Sequence, residues 1–244
     1  MIPLRDNAAP RRLTPINVAL IAANIAVFVY EISIGARIAA FVGKFALVPA
    51  AVTRALSTNA LAWHESGAHR GVDAVAPLMT TVTSMFIHGG FWHVAGNMLY
   101  LFIFGAAVEY RMGALRYLIF YFAAGIAAAL ATVWIAPESS VPVIGASGAI
   151  AGVLGAYLVL YPRARVWSLV PFLFFIPLRI PAWLVLGSWF VLQWLYAAGY
   201  AASGETGVAY VAHLFGFLAG AATGLVVRAA SPPPRHPLDP RYRA

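Results

Sequence analysis

The stretch Gly145-Ala146-Ser147-Gly148-Ala149-Ile150-Ala151-Gly152 decides how the rest of the chain is read, because it opens an apolar run on a hydroxyl flanked by glycines. Pro137, Ser139, Ser140 and Pro142 precede it as a loop, and a helix-like stretch from Ala149 to Tyr161 follows. Ser147 is therefore expected at a helix N-terminus in apolar surroundings. Unpaired backbone N–H groups and the positive end of the helix dipole there stabilise negative charge developing on a substrate oxygen. Taken alone, small residues in such a run more often serve close helix packing. The remainder of the chain changes that balance.

Of 244 residues, 62% are hydrophobic and 10% charged, and the mean hydropathy of +0.81 lies far outside the range of soluble domains. The chain reads as a multi-span membrane protein. Its lack of cysteine excludes a disulfide framework and thiolate metal sites. The net charge of +8 does not point to nucleic acid, because the arginines are scattered between apolar runs.

Residues 1–15 read as a loosely ordered cytoplasmic tail, 16–229 as one six-helix domain, and 230–244 as a disordered cytoplasmic tail. The expected fold is an all-α membrane bundle with a long interfacial first loop. Spans are predicted over Ile16–Ile34, Phe91–Val108, Ala114–Ile135, Ser147–Leu160, Pro181–Ala198 and Val208–Val227. Gly35 to Ala76 carries charges between short apolar patches and is expected at the outer interface. Val166 to Leu178 is apolar but too short to cross, and contains Pro171 and Pro177, so the cytoplasmic interface is expected for it. Twelve arginines fall on the side of the termini, whereas Arg37, Lys44, Arg54 and Arg70 fall opposite. This asymmetry reads both termini as cytoplasmic; a bacterial-type plasma membrane is the expected location.

Depth follows from the helical rise of about 1.5 Å per residue. Ser147 lies about 24 Å from Arg163, His213 about 22 Å from Arg228, and His93 about 24 Å from Glu109, with Asn97 one turn deeper. In a hydrocarbon core about 30 Å thick, the first three share one level a few ångströms below the outer surface. Polar side chains within spans are costly and face the bundle interior. Gly148 and Gly152 on the fourth span, with Gly216 and Gly220 on the sixth, form small-xxx-small faces that bring Ser147 and His213 together. Overpacking that face with Gly220→Val is expected to displace the sixth helix, and Gly220→Ala to cost much less.

A serine hydroxyl needs a base, and His213 is the available one. No acid falls in the outer half of spans two, four or six, so a Ser-His dyad is what the inventory allows. His93, Asn97 and the Ser147 N–H are candidate oxyanion donors. His64-Glu65 with His69 fails as a zinc motif because its histidines are five apart on a polar loop. An aspartyl dyad fails because no aspartate lies in a span. No metal and no cofactor are expected.

These residues resemble the rhomboid intramembrane serine proteases. The resemblance covers Thr80 to Ala229 and rests on Gly145-Ala146-Ser147-Gly148, His93-Val94-Ala95-Gly96-Asn97, Glu109-Tyr110-Arg111-Met112-Gly113, and Ala212-His213-Leu214-Phe215-Gly216 with Gly220. It implies Ser147 as nucleophile, His213 as general base, and His93 and Asn97 as oxyanion-hole side chains. The implied substrates are transmembrane segments cut near their outer end within the lipid bilayer. Several relatives carry a tyrosine four residues after the serine that stacks on the base. This chain has Ala151, so orientation of His213 falls to other contacts. A Trp-Arg pair that some relatives carry in the first loop is missing. His88 is expected at the interface, and Glu109 and Arg111 as a cap or pair at the far end of span two. Two other readings are a client-binding pseudoenzyme, whose signature would be loss of Ser147 or His213, and a transporter, which the lack of an inverted repeat disfavours.

Overall fold

The computed structural model describes residues 2–8, 14–57, 77–170, 176–203 and 207–230. In chain order the elements are β1 (Ile2–Asp6), α1 (Pro15–Ser33), α2 (Ile38–Phe45), α3 (Pro49–Ser57), α4 (Thr80–Thr83), α5 (Phe91–Tyr100), α6 (Ala106–Met112), α7 (Ala114–Ile135), α8 (Ser147–Leu160), β2 (Arg165–Val170), β3 (Ile176–Pro181), α9 (Ala182–Ala202) and α10 (Val208–Ala230). A π-helical turn over Leu101–Gly105 joins α5 to α6. Five helices are long and apolar enough to cross a membrane: Pro15–Ser33, Phe91–Met112, Ala114–Ile135, Ala182–Ala202 and Ala209–Ala230.

The shorter α8 is the axis of the bundle. Its 14 residues rise only about 21 Å, and every residue from Gly148 to Tyr157 is buried. α7 and α10 both pack against it and against each other. Local sequence sets these boundaries. Gly113, with φ of 83°, turns the chain between α6 and α7 in a conformation that side chains rarely adopt. Pro15 occupies the first turn of α1. The third and fourth expected spans coincide with α7 and α8, while the second and sixth extend to Met112 and Ala230. The fifth is displaced: Pro181 ends β3 and caps α9 from outside, and the helix continues to Ala202.

A small antiparallel sheet of order β1-β2-β3 corrects two expectations. The bundle is mostly helical rather than all-α, and residues 2–6 are a strand rather than loose chain; the segment after α8 contributes the other two strands. Val166 pairs with Ile180, and Ile2 with Leu169. The cause is the period-two pattern of β2, whose Val166, Ser168 and Val170 are buried while the residues between them are not. The sheet closes the end of α8 opposite Ser147. There the Tyr157 hydroxyl donates to Asp6 Oδ2 at 2.6 Å, and the Arg165 N–H donates to Asn7 Oδ1 at 2.7 Å.

A second polar cluster ties α1 to the far end of span two. The Glu109 carboxylate accepts the Ile16 N–H at 3.2 Å and the Asn17 N–H at 2.6 Å, capping α1. Asn17 Nδ2 in turn donates to the Leu101 carbonyl at 3.0 Å, in the π turn, and Tyr117 donates to Asn17 Oδ1 at 2.7 Å. The expected capping role of Glu109 is thus realised on α1.

The first loop is folded as far as Ser57. Leu47 bridges to Val143, and Leu47 and Val52 bury against Ala129 and Val133 of α7. Thr83 Oγ1 donates to the Phe45 carbonyl at 2.7 Å. These contacts hold the loop beside the segment that leads into Ser147, without the Trp-Arg pair. The rest of that loop with His64, Glu65 and His69, and the tail beyond Ala230, lie outside the described residues.

Candidate active site

Ser147 is the first residue of α8, where backbone N–H groups have no carbonyl one turn behind them. The chain reaches it through Gly145, whose φ of 116° a side chain would rarely tolerate. A Cβ at Gly145 would also stand 2.8 Å from His93 Nε2 and 3.6 Å from Asn97 Nδ2. Two side chains of α5 therefore converge on the peptide just before Ser147.

α10 brings His213. Its approach to α8 is set by backbone against backbone. A Cβ at Gly216 would overlap the Gly148 carbonyl oxygen, and one at Gly220 would overlap the Gly152 carbonyl oxygen and lie 2.6 Å from Gly152 Cα. The glycine faces expected from the sequence are thus in register. Gly155 and Gly224, not foreseen, extend the same contact toward the sheet end: a Cβ at Gly155 would lie 2.8 Å from the Ala221 nitrogen. One expectation is overturned. Gly220→Ala places its single methyl on a carbonyl that has no rotamer to retreat into, so it is not a mild change.

At this separation His213 Nε2 and Ser147 Oγ are 2.7 Å apart. The other ring nitrogen, Nδ1, is 2.7 Å from Gln193 Oε1 on α9. The amide oxygen only accepts, so Nδ1 carries the proton and Nε2 presents its lone pair to the Ser147 hydroxyl. Trp189 lies with its ring centroid 5.7 Å from that of His213 and Tyr210 meets it edge-on at 6.4 Å. These three groups orient a ring that has only Ala151 where a stacking tyrosine was looked for. Gln193 went unnoticed in the sequence, although it is the sole glutamine of the chain.

The same reasoning fixes His93. The Gly89 N–H donates to its Nδ1 at 3.3 Å, so Nε2 carries the proton and points toward Gly145. Asn97 is 8% exposed, and its Nδ2 is a buried donor without a hydrogen-bond partner among the described residues. Leaving such a donor unsatisfied costs about 1–3 kcal/mol. Together His93 and Asn97 form a cradle of N–H groups beside the serine, suited to an oxygen bearing negative charge.

His88 corrects an expectation, for it is buried rather than interfacial. Its backbone N–H donates to both oxygens of Glu31, at 3.2 and 3.3 Å, and its ring meets His93 edge-on at 5.1 Å. Burial, and then the neighbouring His93, push its imidazole down to about 4. It stays neutral and braces His93 from behind.

A cavity of about 40 Å³ opens next to Ser147, lined by small residues that include Gly125, Ala128, Ala129, Gly148 and Ala212. Among the described residues no cluster of histidine and carboxylates has the makings of a metal site.

The Rhomboid domain family matches residues 76–230, more than half of the chain. The chain is 31% identical to "Rhomboid protein 1, mitochondrial" of Saccharomyces cerevisiae over 162 residues, covering 65% of this chain and 44% of that protein. It is 44% identical to "Rhomboid protease GluP" of Bacillus subtilis over 77 residues, 32% of this chain and 15% of that protein. "Rhomboid-like protein 11, chloroplastic" of Arabidopsis thaliana is 32% identical over 149 residues, 57% of this chain and 49% of its own. The chain spans less than half the length of each of these relatives.

Proposed function

Because the chain belongs to the rhomboid family, we propose that it is an intramembrane serine endopeptidase that cuts transmembrane segments of membrane-protein substrates near their outer end, using a Ser147–His213 dyad. The observation that carries this reading is the 2.7 Å contact between Ser147 Oγ and Nε2 of His213. Ser147 Oγ attacks the scissile carbonyl while its proton passes to Nε2. The resulting oxyanion is held by Nε2–H of His93 and Nδ2–H of Asn97. His213 then returns its proton to the leaving amine, and water releases the acyl group by the same route in reverse.

The depth of the site follows from the length of α8. As the fourth of six crossings it rises about 21 Å against a core of about 30 Å, so its N-terminal serine lies below one surface. The sheet end carries Arg5, Arg163, Arg165, Arg179 and Arg228, which favours that end as cytoplasmic and the serine end as external. On this reading both termini are cytoplasmic in a bacterial-type inner membrane. The cavity beside Ser147 leaves room for a small substrate side chain.

Incubation of the purified protein with a fluorophosphonate probe, followed by mass spectrometry, tests this directly. Labelling is expected on Ser147 alone and is lost in His213→Ala. A folded protein that takes no label would favour a rhomboid-like client-binding role without cleavage.

A further inference from the structure

We propose that Gln193 is a positioning residue for the base, a neutral counterpart of the carboxylate in a Ser-His-Asp triad. The proposal rests on the protease reading above. Three observations carry it. Gln193 Oε1 lies 2.7 Å from His213 Nδ1, on the ring nitrogen opposite the one that faces Ser147. Gln193 stands on α9, whose buried residues are only Ala182, Val185 and Leu186 near the sheet, so a primary amide halfway along an apolar helix has no packing reason to be there. It also stands eleven residues, a rise of about 16 Å, beyond the start of α9 at the sheet, which carries it toward the end of the bundle that holds Ser147.

A neutral imidazole has two tautomers, and only the one with a bare Nε2 is able to take the serine proton. An amide whose oxygen faces Nδ1 selects that tautomer before substrate arrives. Because Gln193 is uncharged, it does so without the electrostatic support a carboxylate gives the imidazolium. The titratable groups around the ring are His93 from α5 and Tyr210 from its own helix, with Ser147 of α8 and Trp189 of α9 also against it.

The test uses the full chain in detergent and two readouts. Nitrogen-15 NMR of the six histidines, with His213 assigned by its substitution, reads which ring nitrogen carries the proton. The rate of fluorophosphonate labelling of Ser147 against pH reads the base at work. Wild type is expected as the Nδ1–H tautomer. Gln193→Leu is expected to give mixed tautomers and to slow labelling by about 10- to 100-fold with melting unchanged, less than the about 10⁴ that follows misdirected tautomers in Ser-His-Asp enzymes. Gln193→Glu is expected to recover the rate to within about threefold and to move the acid limb of the profile up by about one pH unit, since an anion favours the imidazolium. A Gln193→Leu protein with the wild-type tautomer and labelling rate overturns the proposal, as does an unmoved acid limb in Gln193→Glu. If wild type takes no probe, the protease reading fails, and the NMR signal alone then decides the role of Gln193.

Discussion

α8 and α9 both reach His213, but through different kinds of surface. The contact between α8 and α10 is backbone on backbone, with Gly155, Gly216 and Gly220 leaving no space for a methyl against the facing chain. α9 approaches α10 through side chains: Trp189 and Phe190 lie against Phe217 at 6.1 and 4.8 Å, and Tyr196 and Tyr200 against Tyr210 at 5.2 and 5.4 Å. Only 17% of the α9 span is buried, against 50% of α7. Side chains have rotamers and a backbone carbonyl has none, so the first surface fixes the distance from Ser147 to His213 and the second fixes the orientation of the ring. On the proposed protease reading, a shift of about 1 Å in such geometry costs about 10²-fold in rate, so activity depends most on the rigid contact.

The largest expected effect comes from breaking the point where both surfaces meet. Ser147→Ala and His213→Ala should each reduce turnover by about 10⁵- to 10⁶-fold, with the double variant no worse than either, because the members of a catalytic unit do not contribute additively. Cleavage of a transmembrane reporter in detergent measures this. Substantial turnover in Ser147→Ala would remove the dyad from the mechanism.

The contrast itself is broken by a pair of identical substitutions. Gly220→Ala adds a methyl onto the Gly152 carbonyl, whereas a Cβ at Gly187 on α9 meets nothing within 4 Å. Overpacking costs about 1–3 kcal/mol, and an immovable backbone neighbour puts Gly220→Ala at the upper end. It should lose melting temperature and most probe labelling, and Gly187→Ala neither. Equal behaviour of the two would mean that α8 and α10 are no more tightly joined than α9 is to its neighbours.

Asn97→Ala sharpens the comparison by separating rate from stability. Its Nδ2 has no partner among the described residues, so its loss removes an unsatisfied donor rather than a bond. Turnover should fall by about 10²- to 10³-fold, chiefly in kcat, with melting unchanged or raised. A change confined to KM would make Asn97 a substrate-positioning group.

What the sequence disclosed here was whatever local pattern carries. α7 and α8 were legible to the residue because Gly113 and the loop around Pro137 and Pro142 punctuate an apolar run. The glycine faces and the meeting of Ser147 with His213 were legible because few polar residues interrupt the spans, and helical rise assigns each a level. Gln193 carries no motif of its own, and its place beside the ring appears only through its contact with His213 on another helix. Other features depend on partners far away in the chain. β1 pairs with a strand some 160 residues later, and His88 is buried by its bond to Glu31 from the first span. No window of neighbouring residues encodes either contact.

The smallest expected effect concerns the far end of α8, where β1 bears on the helix that presents Ser147. Tyr157 is fully buried, and its hydroxyl donates to Asp6 Oδ2 at 2.6 Å, a bond to a carboxylate across 151 residues of sequence. Tyr157→Phe keeps the ring and its edge-on contact with Phe104 at 4.9 Å, so only the hydrogen bond is lost. Bonds to charged groups contribute about 1.5–3 kcal/mol. Thermal melting should fall accordingly. Labelling of Ser147 should not fall, because α8 remains clamped to α10 by Gly152 and Gly220 between the two ends. Measuring both on one sample separates a strand that merely closes the bundle from one that reaches the site. If Tyr157→Phe slowed labelling as much as Gly220→Ala does, the glycine contact would not be what holds the serine in place.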